Sequence, residues 1–215
     1  MNPLRQSQLD GRLRLRHLQE HTEAVADEMD HERGRVRKLA DPGAAPRAVS
    51  AFNLFQTPEH IAAQLVEIAG QGGRWLEPSA GLGRIYRAIR DATGEAITLV
   101  ELSPDCSAEL YRETESVGAA TLIQADFLTC DAERLGGLFD CIVMNPPFKM
   151  GRDIKHILHA RILLAPGGVL VSLCANGPRQ RDKLQAIADD WQELPEETFR
   201  CEATRVRAAI VTMQN

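Results

Sequence analysis

The sequence lacks any apolar stretch long enough to span a bilayer, and its arginine-rich start lacks the hydrophobic centre and small-residue cleavage site of a secretory signal. No transmembrane helix is therefore expected, and a cytoplasmic location without a membrane partner is. Cysteine is sparse. The five residues, Cys106, Cys130, Cys141, Cys174 and Cys201, are never spaced as C-x-x-C and mostly sit in apolar runs, which points to reduced core thiols rather than a metal site or a disulfide framework. An excess of positive charge is also missing. With 25 Lys and Arg against 30 Asp and Glu, the formal net charge is -5. Phosphate binding rests on clustered Lys and Arg, so this balance excludes a large uniform attractive field but leaves room for a local basic cleft.

What is present fits one sizeable core. The chain has 215 residues, 44% hydrophobic and 26% charged, which allows one main domain and an appendage. Residues 1–40 place Leu4, Leu15, Leu18, Val25, Met29, Val36 and Leu39 at near-helical spacing, and predict an amphipathic helical extension. Positive charge is concentrated here, at Arg12, Arg14 and Arg16 and again at Arg33, Arg35, Arg37 and Lys38; a solvated helix face explains it equally well. The seam also carries Gly11, Thr22 and Glu32, so packing on the same chain competes with a homodimer or partner contact through these helices. Residues 41–50, opening Asp41-Pro42-Gly43, read as a linker.

From 51 to 215 short β-like runs alternate with helical ones, the signature of an α/β fold in which helices cover a mostly parallel sheet. Expected strands are 74–77, 96–101, 121–124, 140–144 and 169–174, with a closing antiparallel pair at 199–202 and 206–213. Expected helices are 58–69, with Thr57 as N-cap, 83–92, 104–116, 153–164 and 180–188.

Four segments carry chemistry. Glu77-Pro78-Ser79-Ala80-Gly81-Leu82-Gly83 follows a strand and opens a helix, where glycine lets a ligand approach the backbone and the carboxylate can accept its donors. The dinucleotide fingerprint is incomplete because Tyr86 stands three after Gly83, and no Gly-Lys-Ser/Thr ending marks a phosphate loop. Glu101, followed by Leu102, ends the next strand about twenty residues on, where an acid can hold ribose hydroxyls. Asp126 and Phe127 end the third strand; Asp126 reads either as an acceptor for an adenine amino group beneath the Phe127 ring or as a helix cap. Most specific is Asn145-Pro146-Pro147-Phe148 after the apolar strand 140–144. Two prolines supply no N–H, so neighbouring carbonyls stay available as acceptors; Asn145 adds an oxygen and Phe148 a stacking face. Such a loop grips a planar amine and aims its nitrogen at an electrophile, work done by alignment and charge complementarity without a metal or a nucleophilic side chain.

In these residues the chain resembles the class I S-adenosylmethionine-dependent amino methyltransferases, the adenine-N6 enzymes among them, of small phage and plasmid type. The resemblance runs from about 52 to 213. It implies a Rossmann-like seven-stranded methyltransferase sheet and S-adenosylmethionine as cofactor, with Glu77 to Gly83 as the cofactor motif, Glu101 and Leu102 at its ribose, and Asp126 and Phe127 at its adenine. Phe55-Gln56-Thr57-Pro58 resembles the segment near the cofactor's methionine end, and Asn145 to Phe148 the catalytic signature. Gly151 to Ile157 and Leu164 to Gly168 look like the helix and turn that follow it. Two departures stand out: Glu202-Ala203-Thr204 replaces an expected Ser-Gly-Thr turn, and no separate target-recognition domain follows.

The implied activity is methylation of adenine N6 in DNA, the base being extruded to reach the loop. An RNA base amine, a protein glutamine amide (for which Tyr rather than Phe148 is usual) and a non-catalytic binding module remain open alternatives. DNA stands ahead of RNA as the polymer partner. His60, His156 and His159 read as ordinary polar or packing residues, and Trp75 and Trp191 as packing. Lys149, Arg205 and Arg207 are candidates for phosphate contact.

Overall fold

The computed structural model describes residues 56–117, 120–199 and 206–215, all within the second of two units, Met1–Ser50 and Ala51–Asn215. The expected N-terminal helices and linker, Phe55, Cys201, Glu202 to Thr204 and Arg205 lie outside the described residues.

Seven strands form one sheet in the order β3-β2-β1-β4-β5-β7-β6. They are β1 (Trp75–Glu77), β2 (Ile97–Glu101), β3 (Ala120–Gln124), β4 (Phe139–Met144), β5 (Leu164–Ala175), β6 (Asp190–Glu193) and β7 (Ala208–Gln214). The first five are parallel, and β7 runs antiparallel to both β5 and β6. The helices are α1 (Glu59–Ala69), α2 (Arg84–Thr93), α3 (Pro104–Val117), α4 (Arg152–Arg161) and α5 (Pro178–Lys183). None of the described helices is long and apolar enough to cross a membrane.

Strand alternation sends successive side chains to opposite faces, and each face has its own core. Trp75, Leu99, Val143, Val171 and Ile210 join Ile61 and Leu65 of α1, Ile85 and Ile89 of α2 and Leu110 of α3. Leu76, Val100, Ile142, Leu170 and Val211 join Ile154 and Ile157 of α4 on the other face. Burial on both faces explains why β1, β2 and β4 read as continuous apolar runs. Each fully buried Leu, Ile or Val contributes about 1.5–3 kcal/mol.

Four expectations need correction. The strand beside β7 at the sheet edge is Asp190–Glu193, with Trp191 opposite Val211; of the expected strand 199–202, Phe199 sits in a turn and fills the first core, and 200–202 lie outside the described residues. An edge strand with three exposed polar residues shows no alternation to read, and charge at an edge discourages pairing with other chains. The fifth helix stops at Lys183 and passes into a 3-10 turn, Gln185–Ile187, with the fully buried Leu184 at the junction. The fourth stops at Arg161 because Leu164 already pairs with Phe139 in the sheet. Finally, Pro58 and not Thr57 is the N-cap of α1, and no side chain caps that end. Thr57 is engaged elsewhere.

The strand order reverses direction between β1 and β4. In open α/β sheets that is where the loops beyond the strands' carboxyl ends part into a crevice suited to a ligand.

Candidate active site

The loop after β1 is shaped by its backbone. Gly81 and Gly83 both take positive φ, 52° and 78°, and Gly83 N–H closes on Ala80 carbonyl at 2.7 Å. A Cβ on Gly83 would stand 2.6 Å from Leu110 Cδ2, so only glycine lets α2 start this close to α3. Glu101 holds the loop from β2: one carboxylate oxygen accepts from Gly81 N–H at 2.7 Å and the other from Ser103 N–H at 2.6 Å. Each carboxylate oxygen has a further lone pair, so Glu101 can anchor the loop and still accept hydroxyl donors. Leu102 beside it is 43% exposed.

Glu77 is 1% exposed, and its Oε2 has no hydrogen-bond partner among the described residues. Burial first, and then the Glu101 carboxylate, push its pKa well above the ordinary carboxylate range, against the opposing pull of the Tyr86 backbone N–H and of Arg87. A buried carboxyl with an unmatched acceptor oxygen at the switch point is suited to a cationic or hydroxyl-bearing ligand. Pro78 and Ala80 are buried, and Ser79 is half-buried.

After β3, Asp126 caps a 3-10 turn, its Oδ1 accepting from Leu128 N–H at 3.0 Å. Both sequence readings of Asp126 thus remain compatible, since the second oxygen is not committed to the cap. Phe127 is placed less favourably for covering a ring. It is 2% exposed, and it packs on His156 and on His159 with centroids 5.7 and 4.8 Å away.

The loop after β4 is held by side chains. Asn145 Nδ2 donates to Thr57 Oγ1 at 3.1 Å, which sets the amide's orientation and joins the segment before α1 to the Asn-Pro-Pro-Phe loop. Gln56, next in chain, accepts from Arg84 Nε at 2.9 Å at the start of α2. Thr57 is therefore bonded to the Asn-Pro-Pro-Phe loop and Gln56 to the first residue of α2, just past the glycine loop, while Pro58 opens α1. Pro146 is buried, Pro147 is half-buried, and Phe148 packs partly buried against the first core. Beyond them Met150 is the one non-glycine residue with positive φ among those described, at 57°, and is 79% exposed. That conformation costs about 1–2 kcal/mol in an L-residue.

Two buried polar residues of α4, just past this loop, had no marker of their burial in the sequence. Asp153, fully buried at the start of α4, accepts from its neighbour Ile154 N–H, from Ala175 N–H at the end of β5 and, at both carboxylate oxygens, from Gln180 Nε2, at 3.0 to 3.1 Å. Burial raises its pKa, and these donors partly offset the rise. His156, 6% exposed, brings Nδ1 to 3.5 Å from Ser79 Oγ, while Nε2 is buried without a partner among the described residues. Burial pushes its pKa down to about 4, so the ring is neutral at pH 7. His159 Nε2 meets the Cys130 carbonyl at 2.8 Å, and His60 is exposed. Arg207 pairs with Glu196 at 2.8 Å in an exposed contact. A separate groove of about 1040 Å³ between α1 and α2 is lined by Ala62, Val66 and Ala88 among others; Gln56 reaches it, but Glu77, Glu101, Asp126 and Asn145 do not.

No protein-family model and no curated protein matches the sequence. Solved structures do match. A putative RNA methyltransferase from Pyrococcus horikoshii is 17% identical with a TM-score of 0.58, over 74% of this chain and 86% of its own. A putative class I S-adenosylmethionine-dependent methyltransferase from Listeria monocytogenes is 15% identical with a TM-score of 0.60, over 77% of this chain and 63% of that longer one. An RNA methyltransferase from Salinibacter ruber in complex with S-adenosyl-L-homocysteine is 16% identical with a TM-score of 0.53, over 74% and 92%. The described chain therefore has the Rossmann-like fold of the class I methyltransferases.

Proposed function

We propose that this chain transfers the methyl group of S-adenosylmethionine to the exocyclic amino nitrogen of a nucleic-acid base, adenine N6 in DNA foremost. The observation that carries the reading is the Asn145 to Phe148 loop at the switch point, with the Asn145 amide oriented by Thr57.

The residues on the β1 side fit the cofactor. Glu101 accepts the ribose hydroxyls, Asp126 the adenine amino group through its uncapped oxygen, and the open oxygen of buried Glu77 a donor of the methionine end. The fold is shared with a protein that carries S-adenosyl-L-homocysteine. The cofactor would supply an electrophilic methyl group on a cationic sulfur.

The chain's own task is then alignment. Asn145 Oδ1 and the carbonyls around the two prolines accept the amine's hydrogens, which holds the NH₂ group in plane and turns nitrogen electron density toward the methyl donor. Phe148 stacks on the base, and the partly buried setting of the loop strengthens each hydrogen bond. The proton released on transfer leaves through these acceptors to solvent. His156, neutral at pH 7 and set behind Ser79, keeps positive charge away from a site that must receive a cation.

RNA is the second reading, favoured by the RNA methyltransferases among the structures of the same fold. Mass spectrometry of nucleosides after incubation of the protein and S-adenosylmethionine with unmethylated DNA and with unmethylated RNA tests both. N6-methyladenine from DNA supports the first reading, a methylated base from RNA alone the second. No methylated base in either contradicts both and turns attention to protein glutamines.

A further inference from the structure

The geometry points to the turn Lys149–Gly151 as a strand-invading element that makes the enzyme a duplex reader: Met150 occupies the stack vacated by the extruded base, and Arg152 and Arg179 hold the flanking phosphates. This inference rests on the base-transfer reading above and adds to it the form of the polymer.

Three observations meet at this turn. The first is its position. Only Phe148 and Lys149 separate Met150 from the two prolines of the loop that receives the base, so whatever lies beside the extruded nucleotide lies beside Met150. The second is its conformation. Met150 adopts φ 57° and ψ 21°, a left-handed geometry unfavourable for a side-chain-bearing residue, and presents that side chain 79% exposed. Glycine follows directly, at φ 72°, so the chain reverses sharply and leaves Met150 at the tip. A surface turn without a duty would favour Gly or Asn at such a position; a long, polarizable apolar side chain held there is suited to wedge between base steps. The third is charge. In a chain of net charge -5, Lys149, Arg152 and Arg179 gather about this turn, with Arg179 Nη1 3.1 Å from where a Cβ of Gly151 would stand. Arg152 and Arg179 make no ion pair with any described residue. By contrast, Arg87 and Arg90 on α2 are both paired to Glu113. Unpaired guanidinium groups beside an exposed apolar tip complement a phosphate backbone with stacked bases between its strands.

A single-stranded substrate offers no vacated stack to fill, and this difference makes the inference testable. Met150→Gly keeps the turn, since glycine is at ease at positive φ, and removes only the wedge. Methyl transfer from labelled S-adenosylmethionine is measured on a DNA fragment in duplex and in heat-denatured form, and on an RNA hairpin beside its linear counterpart. The expected result is that Met150→Gly lowers duplex methylation about tenfold and leaves single-strand methylation within about twofold, while Met150→Leu restores most of the loss. Arg152→Ala and Arg179→Ala should each reduce the slope of log affinity against log salt by about one. Equal loss on both forms, no loss on either, or a wild type that methylates single strands alone overturns the inference and leaves base methylation standing. A wild type that methylates no polymer overturns both together.

Discussion

The two loops that face each other across the switch point are built by opposite means. The loop from Pro78 to Gly83 is fixed through its backbone: two left-handed glycines, a turn closed on Ala80, and the Gly81 N–H received by Glu101. The loop from Asn145 to Gly151 is reached by a side chain from a distant element, Thr57 ahead of α1, and leads into α4, whose start the Asp153 cluster ties to β5 and α5. A backbone cradle suits a ligand that is always the same, because it can be rigid and closely fitted. A side-chain-supported loop with an exposed tip suits a large and variable partner. The proposed division of labour between donor and acceptor matches the division in how the two loops are held.

This contrast can be broken from either side. The largest stability effect is expected on the acceptor side. Asp153→Ala strips the partner from the Ala175 N–H and the Gln180 amide in a buried setting, and should cost about 3–4 kcal/mol by denaturant unfolding. An effect under about 1 kcal/mol would show that the cluster does not anchor the start of α4. His156, on α4 but facing Ser79 of the other loop, adds a pH dependence. Its folded pKa, about 4, lies below the unfolded value near 6.5, so its contribution is complete above about pH 6.5 and is lost as pH falls toward 4. The full loss is up to about 3 kcal/mol, and His156→Leu should remove that part of the acid sensitivity in thermal melts from pH 7 to 4.

On the donor side, Gly83→Ala should cost about 2 kcal/mol in unfolding free energy, from the positive φ and from the collision with Leu110. The smallest effect, about 1.4 kcal/mol, is expected for Glu77→Gln, as an affinity for S-adenosylmethionine weakened about tenfold in calorimetry. Its pH behaviour has the opposite sign to that of His156. A raised folded pKa means that the folded chain keeps its proton longer, so stability declines as pH rises from about 4.5 through the folded pKa. Glu77→Gln should remove that decline; a variant with the wild-type profile and affinity would remove Glu77 from the donor side.

The same contrast explains what could be read from the sequence. β1, β2 and β4 were legible because burial on both faces writes an apolar run, and the glycine loop because positive φ selects glycine. The acidic ends of β1 and β2 were legible because a carboxylate closing an apolar strand stands out. Asp153 and His156 were not, since an Asp in a helix's first turn and a His one turn later look the same whether buried or solvated. Only the packing of α4 against β5 and Phe127 makes them interior. The strand Asp190–Glu193 was not legible for a related reason: it lies at the sheet edge, Trp191 among exposed Asp190, Gln192 and Glu193, and tertiary pairing with β7, not local pattern, sets it.

The most direct test of the account measures two quantities on one variant, Asn145→Ala: its affinity for S-adenosylmethionine, and the N6-methyladenine it forms in DNA. With the acceptor grip gone and the backbone cradle untouched, cofactor affinity should stay within about threefold while methyl transfer falls about 100-fold or more. Loss of both together, or methyl transfer close to that of the wild type, would contradict it.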